Sequence, residues 1–276
     1  MIFIILIIIV LICVIRIKSN ASFAVKQFEY QNCIVFGKKR TGKDLFFQYV
    51  INKRNIPNYA NQTYGKKTTV ESIKSLSVEP NTFENCIHNK ISVVPPTLKP
   101  YHDFYISDGG IFLPCQYNNI LNKLYPSFPI YYALSGQIRA MNIHINVQAL
   151  NRLWDKIREQ ADYYFKTSFT IKLPFFFAVR VTAYSDYEDA LNNLKPLKIS
   201  LFSNKFEKGM KRVENSARGD IRSFWIFMRK KDIKYDTHFF EKVFYGSDAC
   251  LHIPRRKYLR SLITNEKDKS LSNNNS

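Results

Sequence analysis

Eight consecutive residues carry the clearest chemistry in this sequence: Gly37, Lys38, Lys39, Arg40, Thr41, Gly42, Lys43 and Asp44. They match G-x-x-x-x-G-K, the spacing of a phosphate-binding loop. Glycines at both ends let backbone N–H groups turn inward onto phosphate oxygens, and a helix that starts at the loop adds its positive end. Lys43 is the residue that would neutralise the β- and γ-phosphates of a nucleotide. The next position is commonly Ser or Thr, whose hydroxyl ligates Mg²⁺. Here it is Asp44, which can ligate Mg²⁺ through a carboxylate but adds negative charge beside a triphosphate. Lys38, Lys39 and Arg40 offset that charge. The spacing predicts all eight residues as nucleotide-binding, with ATP and Mg²⁺ as cofactors. A basic glycine loop formed by chance is the competing reading, and a strand before it with a helix after it counts against chance.

Three further positions could act with the loop. Asp108 ends an apolar run, Phe104-Tyr105-Ile106, as the aspartate that holds Mg²⁺ at the carboxyl edge of a nucleotide-binding sheet does; the plain alternative is an Asp-Gly turn. Many such sites follow this aspartate with Glu to orient water, whereas here Gly109 follows. Gln148 ends the run Ile143 to Val147, where a carboxamide can touch the γ-phosphate and the attacking water; a solvated strand-end Gln is the alternative. Arg139, Arg152 and Arg158 lie nearby in sequence. Arg158 is the candidate for a residue that reaches a neighbouring subunit's nucleotide and stabilises transition-state charge, against the commoner role of a surface ion-pair partner. The catalytic set is thus Lys43, Asp108, Gln148 and Arg158, with Asp44 and Asp108 as metal ligands. His88, His102, His144, His238 and His252 show no metal spacing.

These residues need elements to hold them. Gln31 to Phe36 reads as a buried strand, and the stretch from Lys43 to Lys53 as a helix with Leu45, Phe46, Tyr49 and Val50 on one face. Residues 55–90 are polar and weakly periodic, as in a loop-rich insertion. Further strands are expected at Ile91 to Val94, Phe104 to Ile106, Ile143 to Val147, Tyr163 to Lys166 and Phe175 to Tyr184. Helices are expected at Tyr131 to Met141, despite Gly136, and at Leu153 to Gln160. The alternation implies an α/β fold: a RecA-like P-loop NTPase with a mostly parallel sheet covered by helices on both faces.

Residues 1–15 contain no charged or strongly polar side chain, and Arg16 and Lys18 follow. This run is close to the lower limit of about 17 residues for a spanning helix. No basic residue precedes it, unlike a signal peptide, although Ser19, Ala21 and Ser22 allow cleavage, and a buried core helix is a further alternative. The expected organisation is a single transmembrane anchor at 1–18, the P-loop domain at 25–190, a basic aromatic appendage at 191–264 and a disordered tail at 265–276. Basic residues after the anchor favour a cytoplasmic body.

The 276 residues carry a net charge of +19. This suggests a polyanionic neighbour, either nucleic acid or an anionic membrane; an AT-biased coding sequence rich in Lys and Asn is the alternative. The stretch with Arg218, Arg222, Phe224, Trp225, Phe227, Arg229, Lys230 and Lys231 could stack on and neutralise single-stranded DNA, or could be the core face of a strand. The five cysteines, Cys13, Cys33, Cys86, Cys115 and Cys250, contain no C-x-x-C and argue against a disulfide framework or a zinc site.

The segments GKKRTGKD, FYISDGGIFLP and YYALSGQIRAMNIHINVQALNRLWDKIREQADYY, with the apolar N-terminus, resemble the zonular occludens toxin-like (Zot) ATPases of filamentous phages. These are similar to the FtsK–HerA class of DNA-pumping motors. The resemblance covers residues 30–185 and the region around Tyr235, and residues 142–164 are its most specific part. It matches Lys43 and Asp108 to the Walker positions and Gln148 to the strand-end glutamine. It departs at Asp44, at Gly109 and in an N-terminal rather than C-terminal membrane helix. It implies a membrane-anchored ATPase of the host inner membrane, acting as a homo-oligomeric ring with phage coat and assembly proteins. Its work would be the packaging and extrusion of single-stranded DNA or a DNA–protein complex. A nucleotide-binding membrane scaffold without efficient hydrolysis is the main rival; a small-molecule kinase and an exported toxin are others.

Overall fold

Cys33, Ile34, Val35 and Phe36 are apolar in succession, and all four are buried. A strand buries consecutive residues only where both of its faces are covered. A computed structural model, which describes residues 20–76, 98–125, 127–139, 141–195 and 221–235, shows how this is met. Strand β1 (Cys33–Phe36) lies inside a sheet with β2 (Asn58–Ala60), β3 (Thr68–Val70), β4 (Asp103–Ile106), β5 (Ile143–Val147), β6 (Tyr163–Lys172), β7 (Phe176–Tyr184) and β8 (Arg222–Arg229). The order across the sheet is β3-β2-β4-β5-β1-β6-β7-β8. Pairing is parallel from β3 through β6 and antiparallel at β6–β7 and β7–β8. The α/β reading with a mostly parallel sheet therefore holds. One strand, β5, separates β1 from β4, so the carboxyl ends of all three share one edge, where open α/β sheets bind ligands.

Helices cover both faces. On one side lie α1 (residues 20–30) and α2 (Lys43–Arg54), packed through Phe28, Phe46, Phe47 and Val50 against Val35, Tyr105 and Phe165. On the other, α3 (Gly109–Phe112) follows β4, and α4 (Asn118–Leu124), α5 (Phe128–Arg139), α6 (Asp155–Arg158) and α7 (Tyr187–Leu191) contribute to a core with Ile34, Ile106, Ile145 and Tyr164. Helix α5 opens with Pro129 in its first turn, where a missing N–H costs nothing, and continues through Gly136. Helix α2 is buried on more than the face its sequence shows. Gln48 is fully buried because its amide donates to Tyr64 O (2.8 Å) and its carbonyl accepts from Lys234 N–H (3.1 Å), so residues 230–235 strap across the helix.

The structure departs from the sequence reading in several places. The insertion expected to be loop-rich contains β2 and β3, three-residue strands too short to show a period. The helix expected at Leu153 to Gln160 is only the single turn of α6. Leu153 and Trp154 are extended instead, with Trp154 N–H donating to Leu113 O (2.8 Å) and Leu153 bridged to Pro114. The strand from Tyr163 runs on to Lys172 and turns back as a hairpin. The aromatic stretch after residue 220 is β8, paired with β7 along its length. The anchor at 1–18, the strand at 91–94, Cys13, Cys86, Cys250, Arg218 and the tail at 265–276 lie outside the described residues. Among the described residues no helix is long and apolar enough to cross a membrane.

The amino edge of the sheet carries a buried polar layer. Asn32 Oδ1 accepts from Ile143 N–H (2.8 Å), and Asn32 Nδ2 donates to Tyr132 O (2.6 Å). Asp103 Oδ1 accepts from Asn142 N–H (3.1 Å), and Asp103 Oδ2 pairs with Arg54. His144 is fully buried between the rings of Phe28 (4.6 Å) and Tyr105 (4.8 Å). Burial, and then the Arg54 charge, hold its pKa well below the ordinary value. The unfolded chain therefore binds a proton that the folded chain resists, and stability falls as pH drops through about 6.5, by up to about 1.4 kcal/mol per pH unit. Urea midpoints between pH 7.5 and pH 5.5 should show this slope, and a His144→Phe protein should lack that part of it.

Candidate nucleotide-binding site

Phe36 ends β1, and the chain turns over the carboxyl edge into α2. Gly42 makes the turn possible: its φ is +92°, and a Cβ there would stand 2.6 Å from Thr170 Oγ1. The loop is backed by β6. Thr41 Oγ1 lies 2.8 Å from both Lys38 O and Thr167 Oγ1, and Thr170 Oγ1 donates to Thr41 O (2.8 Å). Lys38, Lys39 and Arg40 are exposed on its outer side. The first-turn N–H groups of α2 have no acceptor within the helix and point to the loop mouth. Strand, loop and helix thus stand in the arrangement that the sequence predicts for phosphate.

Lys43 is only 7% exposed, and its Nζ donates to Gly37 O (3.0 Å) and Lys38 O (3.3 Å). Burial pushes the pKa of its ammonium down, opposed by the carboxylates of Asp44 and Asp108. Burial likewise raises the pKa of Asp108; the Asp44 charge adds to the rise, and Lys43 and Lys39 oppose it. Two carboxylates that feel each other beside a buried ammonium form a donor set that a hard divalent cation relieves. Mg²⁺ is suited to one or two carboxylates plus phosphate oxygens and water. Asp44 and Asp108, whose charges act on one another and on Lys43, are the residues that would hold Mg²⁺ with ATP.

Asp44 sits in a network that the sequence did not disclose. Its Oδ1 lies within hydrogen-bonding distance of Asn146 Nδ2 (2.8 Å), Tyr64 OH (3.2 Å), Gln62 Nε2 (3.3 Å) and Ser107 Oγ (3.3 Å). Asn146 also accepts Asp108 N–H on its Oδ1 (2.7 Å), so one carboxamide in β5 ties Asp44 to Asp108. Asp108 itself adopts a left-handed backbone, φ 50°. The available signal was a polar residue inside the otherwise apolar end of Ile-His-Ile-Asn-Val.

Gly109 has a steric reason to be glycine. A Cβ there would stand 2.3 Å from Ile145 Cγ2 and 3.2 Å from Asn146 O. No glutamate fits at this position without moving β5. Gly109→Ala should therefore destabilise the protein by about 1–3 kcal/mol. Gly110→Ala should cost less, because its Cβ would meet Val147 Cγ2 at 3.1 Å with nothing nearer. Urea denaturation of the two variants makes the comparison.

Gln148 follows β5 at the same edge, and its Oε1 accepts from Arg152 Nη1 (3.3 Å). It lines two cavities. One of about 60 Å³ is shared with Asp108, Gly110 and Arg152. The other, of about 300 Å³, is shared with Gly37, Lys38, Asn151 and Lys166. The carboxamide thus stands between the loop and the Asp108 side. Arg158 is not brought to this site within its own chain. It contacts Glu159 Oε1 (3.4 Å) and lies 5.9 Å from the Tyr187 ring centre. Its carbonyl accepts from the hydroxyl of Tyr164, a residue near the start of β6 at the opposite edge. Arg152 is the arginine beside Gln148, and the side chain of Arg139 lies outside the described residues.

No family model matches the chain, and no curated protein matches it. Solved structures do. The genome packaging NTPase B204 from Sulfolobus turreted icosahedral virus 2, in complex with ATP-gammaS, is similar over 58% of this chain and 94% of its own, at 10% identity and a TM-score of 0.35. The N-terminal domain of zonular occludens toxin from Neisseria meningitidis is similar over 77% of this chain and 98% of its own, at 8% identity and a TM-score of 0.33. EssC (ATPases 2 and 3) from Geobacillus thermodenitrificans is similar over 78% of this chain and 43% of its own, at 12% identity and a TM-score of 0.36.

Proposed function

We propose that this chain is a membrane-anchored ATPase of filamentous phage assembly, which couples ATP hydrolysis to the packaging and extrusion of single-stranded DNA. The observation that carries the nucleotide reading is the convergence of Lys43, Asp44 and Asp108 at one sheet edge, with β5 lying between β1, which leads into the loop, and β4, which leads to Asp108. Lys43 releases the carbonyls of Gly37 and Lys38 and takes phosphate oxygens instead. The residues from Gly37 to Asp44 enclose the phosphates with backbone N–H groups. Gln148, held by Arg152, faces the position of an attacking water. Asp44 and Asp108 would hold Mg²⁺, which would supply charge neutralisation at the phosphates.

The rest of the reading is supported by sequence. The apolar run before Arg16 and Lys18 supports a single-pass anchor in the host inner membrane with a cytoplasmic body. The +19 charge supports a polyanionic cargo, DNA or a DNA–protein complex. The resemblance supports a homo-oligomeric ring with coat and assembly proteins, in which Arg158 would act on a neighbour's nucleotide. One observation favours a second reading, a nucleotide-binding scaffold with slow turnover: the space at Gly109 excludes the carboxylate that commonly orients water. ATP hydrolysis measured with and without single-stranded DNA separates them. The motor reading expects turnover that rises with DNA, the scaffold expects binding without turnover, and absence of nucleotide binding defeats both.

A further inference from the structure

Strand β6 pairs Lys166 with Phe36, the last residue of β1, and then continues to Lys172. At about 3.3 Å per residue, this carries the β6–β7 hairpin roughly 20 Å past the end of the parallel sheet. Strand β8 follows it, with Phe176 paired to Arg229 at the far end. The result is a three-stranded antiparallel arm beside the phosphate loop. Its inner face is core: Val179, Val181, Phe224, Ile226 and Met228 are buried. Alternation places the other residues outside, and there the arm is aromatic and cationic. Phe169 is 56% exposed and Phe227 42%, with Phe175 at the turn 80%. Phe169 meets Trp225 edge-on at 6.3 Å, and Phe176 meets Phe227 at 5.9 Å. None of these rings belongs to either core cluster. Arg180 is paired with Trp225 and is exposed; Arg229 is exposed too, in an ion pair with Asp232 just past β8 (2.8 Å). The three strands contain Lys and Arg but no Asp or Glu.

We infer that the outer face of this arm is a stacking platform for single-stranded nucleic acid. Exposed rings interleaved with cations are what such a ligand requires, because every base has a π-face and every nucleotide a phosphate. Trp225 and Phe227 are two residues apart on β8, about 7 Å. That is twice the roughly 3.4 Å rise per nucleotide of a duplex strand, so the rings fit bases drawn out of duplex stacking. A second copy of this chain is a poor occupant, since it would bring its own positive charge to three strands without carboxylates, and the acid just past β8, Asp232, is already paired with Arg229. The arm also touches the nucleotide loop. On β6, Thr167 and Thr170 hold Thr41, while Phe169 and Ile171 face outward. A bound strand therefore lies one residue away from contacts that shape the phosphate loop. This coupling rests on the ATPase reading; the binding does not.

The 276 residues contain two tryptophans, and Trp154 is fully buried, so quenching by nucleic acid reports on Trp225. Titration with fluorescein-labelled oligo(dT) is expected to quench that emission. Phe169→Ala with Phe227→Ala is expected to weaken oligo(dT) binding about 30-fold or more. Arg180→Gln, which alters no ring, is expected to lower the salt slope by about 0.7 for the phosphate it contacts. A duplex of the same length is expected to bind less tightly and without quenching. The inference is overturned if oligo(dT) binds without quenching, or if the double Phe variant and Arg180→Gln both bind as wild type. It is also overturned if the double variant keeps oligo(dT) and loses instead anionic phosphatidylglycerol vesicles or self-association in sedimentation. Basal ATP turnover, measured on the same proteins, is expected to be equal in wild type and the double variant. Its absence from wild type would remove the ATPase reading and leave the platform standing.

Discussion

A protein carrying Lys43→Ala is expected to lose ATP turnover by roughly 100-fold or more, the usual loss when one donor at a site of developing charge is removed. The reason is in the geometry. Lys43 is buried, and among the described residues its ammonium donates to two loop carbonyls, Gly37 O at 3.0 Å and Lys38 O at 3.3 Å. Neither of these partners is charged, so a phosphate oxygen is a better partner than either. The loss should appear in nucleotide affinity as well as in turnover. Folding should be little affected: two hydrogen bonds of about 1 kcal/mol each are lost, and the desolvation that lowers the ammonium's pKa is relieved with them. A fluorescent ATP analogue, a turnover assay and a urea titration on one preparation decide the matter. If Lys43→Ala binds and hydrolyses ATP as wild type does, residues 37–44 are not a nucleotide site. Because burial lowers the ammonium's pKa, nucleotide affinity should also decline on the alkaline side earlier than an exposed lysine would allow.

The sequence made this half of the site legible because its signals are local. A glycine at each end of the loop, a lysine after the second and an apolar run on either side all lie within one strand–turn–helix unit. Asp108 and Gln148 were legible for a related reason: each ends a short apolar strand, and parallel strands of one sheet share a carboxyl edge. The Asp44 network was not legible. Tyr64, Gln62, Ser107 and Asn146 come from three separate stretches, and nothing local marks Tyr64 or Gln62 in a polar insertion. Their convergence requires β2 to lie beside β4, a pairing of three residues. The departure at Gly109 was visible as a residue, but its cause, Ile145 Cγ2 across the sheet, is a tertiary fact.

The same division runs through the fold. Runs of three to five wholly or mostly apolar residues marked β1, β4 and β5, which are buried on both faces. Strands β2 and β3 were missed because three residues cannot establish a period. In β8 the alternation was visible, but not which face was which. Phe224 belongs to the core while Trp225 and Phe227 face outward, so the two readings offered for that stretch, core strand and nucleic-acid surface, are each true of alternate residues. The hairpin of β6 and β7 was also beyond the pattern. Residues 163–172 change at Ser168 from a mostly buried strand to an exposed one, with a bulge between Thr167 and Phe169.

Replacing Arg54 with Met should destabilise the protein by about 3–5 kcal/mol, the range for removing one partner of a buried ion pair. Asp103 is 2% exposed and Arg54 10% exposed as side chains, and Arg54 Nη1 also donates to Phe28 O (2.6 Å), joining α2, α1 and β4. Without the guanidinium, Asp103 retains Asn142 N–H and a buried, neutral His144 whose Nε2 is 3.7 Å away. The charge left behind is the source of the cost, and pH can demonstrate it. In the variant, burial without a cation raises the carboxyl's folded pKa above its unfolded value of about 3.9. The folded state then binds the proton more tightly, so the deficit is small at acid pH and grows as pH rises through that window. Loss of the Arg54 charge also removes one cause of the depressed His144 pKa, and a protonated His144 beside Asp103 would lessen the deficit in the same direction. The double variant Arg54→Met with Asp103→Asn should recover most of the loss, because the carboxamide oxygen still accepts from Asn142 N–H and no charge remains buried. Urea denaturation of the single and double variants from pH 5 to pH 8 completes the cycle. A deficit that is independent of pH, or a double variant no more stable than Arg54→Met, would mean that the arginine acts through packing alone.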